Sequence, residues 1–212
     1  MRHDPERPLS PILLVPGWSD RPRVMRRLHR RFVAAGWPPA AVHTVEFRDR
    51  FGSNVEHAAE VAEAAASLLS RATVPVLDIV AHSMGGLAVR RYLAETPCPV
   101  RRAVFLGTPH AGTWAAVVAW GGGRREMMPG SEFLRTLPAI PPGVACTTIR
   151  TPLDLRIFPG TSARVRGARD IVIRLTTHQG MLRSGAVFES IRAALLAPEG
   201  ATMRVAGEAR TS

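Results

Sequence analysis

The sequence lacks several features that would point to a particular class of protein. Its 212 residues include no lysine and only two cysteines. No apolar run approaches the length of about 20 residues that a membrane-spanning helix needs. Cys98 and Cys146 are too few for a disulfide framework or a zinc site, and they leave two free thiols or a single disulfide as alternatives. The start over residues 1–11 has no apolar stretch typical of a signal peptide, so we expect a cytoplasmic protein, or a secreted one if a leader has been removed.

Because lysine is absent, all 28 basic side chains are arginine, and they give a net charge of +11 against 17 acidic residues. A nucleic-acid-binding protein usually concentrates its cations on one element. Here arginine pairs such as Arg26-Arg27 and Arg101-Arg102 are distributed along the whole chain. We therefore expect no nucleic-acid partner and, from the net charge alone, a weak attraction to anionic membrane surfaces.

Short apolar segments alternate with helical patterns along the chain. This order predicts an α/β protein with about six, mainly parallel strands and helices on both faces of the sheet. The predicted strands are 11–15, 41–47, 74–80, 103–106, 144–150 and 170–175. The predicted helices are 21–35, 53–70, 84–95 and 185–196.

Two of these helices have recognisable starts. Ser53 and Glu56 form a capping box at the second helix, and Ser19 or Asp20 is the expected cap of the first. The first helix has an apolar face of Val24, Met25, Leu28 and Phe32. The predicted buried stripe of the second comprises Val55, Ala59, Ala62, Ala66 and Leu69.

The chain divides into one domain and two ends. Residues 1–10 are predicted to be a disordered N-terminal segment, 11–197 a single domain, and 198–212 a flexible tail. Residues 113–137 interrupt the alternation of strands and helices. They are interpreted as a small lid or one wall of an apolar groove, with a plain crossover segment as the alternative.

One turn carries the pattern of a nucleophilic site. The third strand leads into Ala81-His82-Ser83-Met84-Gly85-Gly86 and then into a helix. Small residues two positions before and after the serine permit a sharp turn that holds its hydroxyl above the sheet, as in a nucleophile elbow. Ala81 stands where glycine is usual. The alternative is a serine in a tight structural turn.

This segment resembles that of the compact bacterial lipases and esterases of the α/β-hydrolase superfamily. The resemblance covers residues 10–196 and includes Leu14-Val15-Pro16-Gly17-Trp18, Gly107-Thr108-Pro109-His110-Ala111-Gly112-Thr113 and Thr177-His178-Gln179-Gly180. It implies a minimal α/β-hydrolase fold over residues 11–197. Such an enzyme needs no metal and no other cofactor.

The serine needs a base and an acid, which follow it in this superfamily in the order acid, then histidine. His178 is the last histidine and follows the sixth predicted strand, so it is the expected base. Asp154 follows the fifth strand and is the expected acid. Asp170 is the rival, although it begins a strand and should lie at the opposite edge of the sheet. Asp78, within the third strand, is interpreted as structural.

The resemblance also implies an oxyanion hole made by the backbone N–H groups of Trp18 and Met84. Relatives usually have histidine where Pro16 stands, which leaves the placement of this loop open. The candidates for the substrate pocket are Gly17, His82, His110 and Trp114. His82 is not a candidate base, because adjacent residues at a sharp turn point apart.

The predicted function is that of a serine hydrolase, a lipase or esterase, which cleaves small-molecule or lipid esters of carboxylic acids through Ser83, His178 and Asp154. An acyltransferase or a thioesterase would use the same triad and is one alternative. A non-catalytic binding protein with a hydrolase fold is the other.

Overall fold

The computed structural model describes residues 9–95 and 99–198. Its six strands form one sheet with the order β2-β1-β3-β4-β5-β6, and every neighbouring pair is parallel. The strands are β1 (Ile12–Val15), β2 (Val42–Thr44), β3 (Leu77–His82), β4 (Val100–Leu106), β5 (Ala145–Arg150) and β6 (Arg169–Val172). The predicted α/β class with a six-stranded parallel sheet is confirmed.

Helices connect these strands. They are α1 (Arg26–Ala34), α2 (Asn54–Leu69), α3 (Gly85–Glu95), α4 (Gly122–Met127), α5 (Glu132–Thr136) and α6 (Gly185–Leu195). Short 3-10 turns at Pro22–Met25, Trp114–Val118 and Gln179–Leu182 precede α1, α4 and α6. The four long helices agree with the predicted ones to within a few residues, while α4 and α5 divide the long connection between β4 and β5.

The helices cover both faces of the sheet, as expected. Side chains alternate along β1, so Ile12 and Leu14 pack on one face and Leu13 and Val15 on the other. The first face is covered by α1 and α6, and the second by α2 and α3. Because β1 is buried on both sides, its sequence is apolar throughout, which explains the continuous apolar run over residues 12–15.

The start of α2 is confirmed, and its predicted buried stripe is wrong by one residue. Ser53 and Glu56 form the capping box, but Val55 is 45% exposed. The buried residues of α2 are Asn54, His57, Ala58, Val61, Ala65 and Leu68. Alanines carry little hydrophobic signal, so an alanine-rich helix fits two adjacent faces almost equally well.

The predicted cap of α1 is also wrong. The chain enters through the 3-10 turn, and Arg21, which precedes this turn, forms no side-chain capping bond. Ser19 has a positive φ of 61°, and the Asp20 carboxylate bonds elsewhere. The predicted apolar face is nevertheless confirmed, because Met25, Leu28 and Phe32 are fully buried.

The segment 113–137 packs over the start of α3. Its buried residues Ala116, Met127 and Leu137 form a small apolar cluster with Met84 and Leu87. Within the described residues, no helix is long and apolar enough to cross a bilayer.

The predictions for residues 1–8, for the tail from 199 onward and for Cys98 lie outside the described residues. Of the N-terminal segment 1–10, residues 9 and 10 are described: Leu9 packs against the core, and the carbonyl of Ser10 accepts a hydrogen bond from the Trp37 indole. Cys146 is a free thiol, and burial raises its pKa to about 12.

Candidate active site

The turn between β3 and α3 places Ser83 at the carboxyl edge of the sheet. Ser83 has a φ of 54°, a left-handed conformation that non-glycine residues adopt at a cost and that occurs at functional turns. Its own N–H donates to the carbonyl of Leu106 at 2.9 Å, which fixes the turn against the end of β4. The loop after β1 passes close by, because a Cβ added to Gly17 would lie 2.8 Å from the Ser83 Cβ.

The loops after β5 and β6 bring Asp154 and His178 together. The Nδ1 atom of His178 lies 2.7 Å from Oδ2 of Asp154, and both side chains are almost completely buried. The other Asp154 oxygen, Oδ1, accepts the backbone N–H groups of Arg156 and Ile157. The carboxylate is therefore held rigidly, and its contact with Nδ1 leaves Nε2 of His178 as the nitrogen able to take a proton.

Gly107, directly after β4, makes room for this pair. Its φ is 55°, and a Cβ there would lie 3.0 Å from Asp154 Oδ2 and 3.1 Å from His178 Nδ1. The Ser83 N–H donates to the carbonyl of Leu106, the residue before Gly107. The serine turn therefore lies at the carboxyl end of β4, and so does the histidine–aspartate pair.

A second histidine–carboxylate contact lies beside the first. His82 is fully buried, with its Nδ1 atom 3.2 Å from Asp20 Oδ2 and its Nε2 atom 3.2 Å from the His178 carbonyl oxygen. Both partners are acceptors, so both contacts are hydrogen bonds only when the ring carries two protons. Asp20 also accepts the Gly17 N–H at 3.3 Å and the Gln179 amide at 3.4 Å. Asp20 thus joins the loop after β1 to the loop that carries His178.

Two backbone donors adjoin Ser83. Within the described residues, the N–H groups of Trp18 and Met84 donate to no protein acceptor. The Trp18 indole is anchored by its hydrogen bond to the Trp120 carbonyl at 3.0 Å and by edge contacts with the rings of Phe51 and Trp120. Met84 is fully buried at the start of α3.

The comparisons with known proteins agree with the fold. A model of the alpha/beta hydrolase family matches residues 12–210. This chain belongs to the alpha/beta hydrolase family. This membership confirms the resemblance to the α/β-hydrolase superfamily. The matched residues cover nearly the whole chain.

Three solved structures illustrate how widely this alpha/beta hydrolase shares its fold. The mature Bacillus licheniformis lipase BlEst2 superposes with a TM-score of 0.74 at 15% identity, over 92% of this chain and 96% of that one. The lin2722 gene product of Listeria innocua gives 0.68 at 14% identity, over 92% and 96%. Aspergillus fumigatus lipase B gives 0.69 at 19% identity, over 84% of this chain and 50% of that one. At such low identities these likenesses concern the fold alone.

Among the candidate residues of the hydrolase, the structure places Gly17 beside Ser83 and joins His178 to Asp154 and, through its carbonyl, to His82. Within the described residues, no hydrogen bond joins Ser83 to His178. His110 and Trp114 form no hydrogen bond and no ring contact with these residues in the described part of the chain. His110 is buried against Phe105, with the two ring centroids 4.8 Å apart. Trp114 is 54% exposed at the start of the segment 113–137. Asp170, the rival acid, forms ion pairs with Arg150 and Arg164.

Burial and charge shift the protonation of the central residues. Burial lowers the pKa of His178 below its usual value, and the hydrogen bond that the ring donates to Asp154 opposes that effect only partly. The neutral form of the ring, which can accept a proton, is therefore favoured. For Asp20, burial alone would raise the pKa, but the hydrogen bond and charge of His82 outweigh it, so the pKa lies below its usual value.

Sequence reasoning missed the role of Asp20. Its position before a helical pattern suggested a cap, whereas its carboxylate contacts the Gly17 N–H and a histidine 62 residues away. One signal was present. A buried histidine needs partners for two ring nitrogens, and an aspartate three residues after Gly17, in the loop of the first strand, is a suitable acceptor.

Proposed function

We propose that this protein is a serine hydrolase that cleaves esters of carboxylic acids with lipid-like acyl chains. The observation that carries the proposal is the hydrogen bond of 2.7 Å between His178 and Asp154, formed beside the turn that bears Ser83. It leaves a neutral imidazole nitrogen free to act as a base, which a serine hydroxyl requires before it can attack.

In the proposed reaction, Ser83 Oγ attacks the ester carbonyl carbon while His178 Nε2 takes the hydroxyl proton. The carbon–oxygen bond of the leaving alcohol then breaks, and His178 returns the proton to that alcohol. Water attacks the acyl-serine, again with its proton passing to His178 and then to Ser83 Oγ. Asp154 orients the ring and stabilises its protonated form.

The negative charge that develops on the carbonyl oxygen needs donors close to Ser83. We assign this role to the backbone N–H groups of Trp18 and Met84, which have no competing protein acceptor in the described part of the chain. Each such donor is worth about 2.7–4 kcal/mol in comparable sites. Pro16 does not prevent this, because the assigned donor is the main-chain N–H of Trp18, two positions farther along the loop.

The preference for an apolar acyl chain is supported by exposed apolar side chains on two adjoining segments. Thr113 Oγ1 accepts the Phe158 N–H at 2.9 Å and donates to the Arg156 carbonyl at 2.8 Å, which joins the segment 113–137 to the loop of Asp154. The exposed large apolar residues of these two segments are Trp114, Val117, Val118, Trp120, Leu153, Leu155 and Phe158. Contiguous exposed apolar patches often mark binding sites, whereas single exposed apolar residues are common on any protein surface.

The proposal is tested by a burst assay with the p-nitrophenyl esters of acetate, butyrate and decanoate. We expect a burst of p-nitrophenol equal to the enzyme concentration with any ester whose acyl-serine is hydrolysed much more slowly than it forms. Ser83→Ala is expected to abolish the burst and nearly all turnover. Faster acylation by decanoate than by acetate would support the lipid-like acyl chain.

The matched control is Ser190→Ala, which removes a hydroxyl that bonds only to its own helix, at the Ala186 carbonyl. It should leave the burst unchanged. Absence of both a burst and steady turnover with every ester, in protein shown to be folded, would contradict the proposal, and so would a full burst in Ser83→Ala. Transfer of the acyl group to an added alcohol would instead identify an acyltransferase.

A further inference from the structure

The outer side of α1 and the turn after His178 enclose an open cavity of about 570 Å³. Arginines form most of its wall: Arg23, Arg26, Arg27 and Arg30 from the first helical segment, and Arg183 from the turn before α6. Val24, Leu182 and Gln179 complete the lining. Among the described residues, no acidic side chain lines this cavity. We call it the arginine cavity.

The five guanidinium groups of the arginine cavity form no ion pair and no hydrogen bond within residues 9–95 and 99–198. Other arginines of the chain are paired, as Arg150 is with Asp170 and Arg101 with Asp78. Arginines elsewhere, such as Arg166 and Arg174, are also unpaired among the described residues, so this site is distinguished by five unpaired guanidinium groups around one cavity.

The positions of the arginines concentrate this charge. Residues 23, 26, 27 and 30 follow the spacing i, i+3, i+4, i+7, which places them on one side of a helix. The opposite side, with Met25 and Leu28, is buried in the core. Neither α1 nor the 3-10 turn before it contains an acidic residue. Like charges at this spacing destabilise a helix, so a bound anion would relieve an existing repulsion.

We propose that the arginine cavity is a binding site for a phosphate group carried by a small molecule or by a lipid headgroup. Guanidinium groups present planar pairs of N–H donors that match phosphate oxygens, and they remain charged throughout the accessible pH range. The cavity is concave and has Val24 and buried Leu182 among its lining residues. It therefore suits a compact anion with an apolar attachment better than the extended backbone of a nucleic acid.

The arginine cavity adjoins the candidate active site through Gln179. This residue lines the cavity, follows His178 directly, and donates through its side-chain amide to Asp20 at 3.4 Å. A bound phosphate would thus lie against the loop that carries the proposed base. Binding itself needs no reaction at Ser83, so the Ser83→Ala protein is expected to bind phosphate as the parent protein does.

The test is calorimetric titration with inorganic pyrophosphate at constant ionic strength, with sodium chloride as the compensating salt. We expect binding by the parent protein and by Ser83→Ala. Arg27→Gln/Arg30→Gln should weaken it by about tenfold or more, because each hydrogen bond to a charged group contributes appreciably. The control, Arg166→Gln/Arg174→Gln, removes the same charge from exposed arginines outside the cavity and should leave the affinity unchanged.

A second measurement identifies the source of the phosphate. The same proteins are sedimented with phosphatidylcholine vesicles that contain or lack phosphatidylglycerol. Binding that requires phosphatidylglycerol and is lost in Arg27→Gln/Arg30→Gln would identify a lipid headgroup, whereas pyrophosphate binding without vesicle binding would identify a soluble phosphate compound.

Three outcomes would overturn the proposal. The first is the absence of binding to both pyrophosphate and anionic vesicles. The second is an equal loss of binding in the two double variants, which would reveal general charge attraction. The third is tighter binding of a duplex DNA oligonucleotide than of pyrophosphate at the same ionic strength.

Discussion

Two groups of buried polar side chains lie near the start of α3, and they differ in how fully they are hydrogen bonded. The first is the histidine–carboxylate network, formed by Asp20, His82, Asp154 and His178. Within the described residues, no buried side-chain nitrogen or oxygen of these four lacks a partner. The carboxylates accept main-chain N–H groups as well as the rings, so the network ties three loops to one another.

The second group is the unpartnered cluster, formed by Thr108, His110 and Ser162. Their hydroxyls and both ring nitrogens of His110 are buried without a hydrogen-bond partner among the described residues. Main-chain bonds hold the cluster together, from His110 N–H to the Thr108 carbonyl and from Ala111 N–H to the Ser162 carbonyl. The Arg90 guanidinium reaches the His110 carbonyl at 3.5 Å.

The difference separates two consequences of burying polar groups. In the network, each contact fixes the direction of a ring or of a loop, and its loss should change catalysis. In the unpartnered cluster, no hydrogen bond within the described residues fixes the polar side-chain atoms, and an unsatisfied buried group costs about 1–3 kcal/mol. Changes there should affect stability and its dependence on pH. Three substitutions test this contrast.

The largest effect is expected for Asp154→Asn. The amide cannot hold the His178 ring in the tautomer that leaves Nε2 free, and in a comparable triad this change costs about 10⁴ in kcat. We expect a loss of up to about this size, measured as kcat with the best ester of the burst assay. Asp170→Asn is the control, because Asp170 contacts arginines and Thr148 and no histidine. If Asp170→Asn were the more harmful of the two, the assignment of the acid would be wrong.

A smaller effect is expected for Asp20→Asn. The substitution keeps the size of the side chain but weakens its bonds to Gly17 N–H and to His82, so the loop of Trp18 should shift relative to Ser83. Misplacement of about 1 Å costs on the order of 10² in rate. We expect this loss mainly in kcat, with KM little changed. Glu189→Gln, which breaks an exposed ion pair with Arg192 on α6, serves as the control. A loss confined to KM would show that Asp20 affects substrate binding instead.

The parts of the fold and of the candidate site that were predicted from the sequence are those with local sequence signals. The nucleophile turn, the capping box at Ser53 and the order of Asp154 and His178 each lie within a short segment or beside a strand end. The parallel direction of the strands follows from the alternation of strands and helices along the chain. Such features depend on neighbours within a few residues, which the sequence displays directly.

The parts that sequence did not predict depend on contacts between distant segments. Asp20 meets His82 only after β1 and β3 pair, and Arg183 joins the arginines of α1 only after α6 packs on the same face as α1. The face of α2 was misjudged for another reason. Apart from its alanines, the helix has Val55 and Leu69 on one face and Val61 and Leu68 on the adjacent face, so its large apolar residues do not fix the helical phase from sequence.

The smallest effect is expected for His110→Leu in the unpartnered cluster. Burial lowers the pKa of His110 well below its usual value, and the Arg90 guanidinium lowers it further. Below about pH 6.5 the unfolded chain therefore binds a proton that the folded protein does not. Stability is complete above this pH and falls as the pH decreases toward the lowered pKa.

His110→Leu removes both the titration and the unpartnered nitrogens. We expect the free energy of unfolding, from urea denaturation, to rise by about 1 kcal/mol at pH 7 and to depend less steeply on pH between 7 and 5. Phe105→Leu is the control, because it disturbs packing against the same ring and should lower stability equally at every pH. An unchanged pH dependence in His110→Leu would mean that this histidine has a partner when folded, and the contrast between the two buried groups would then fail.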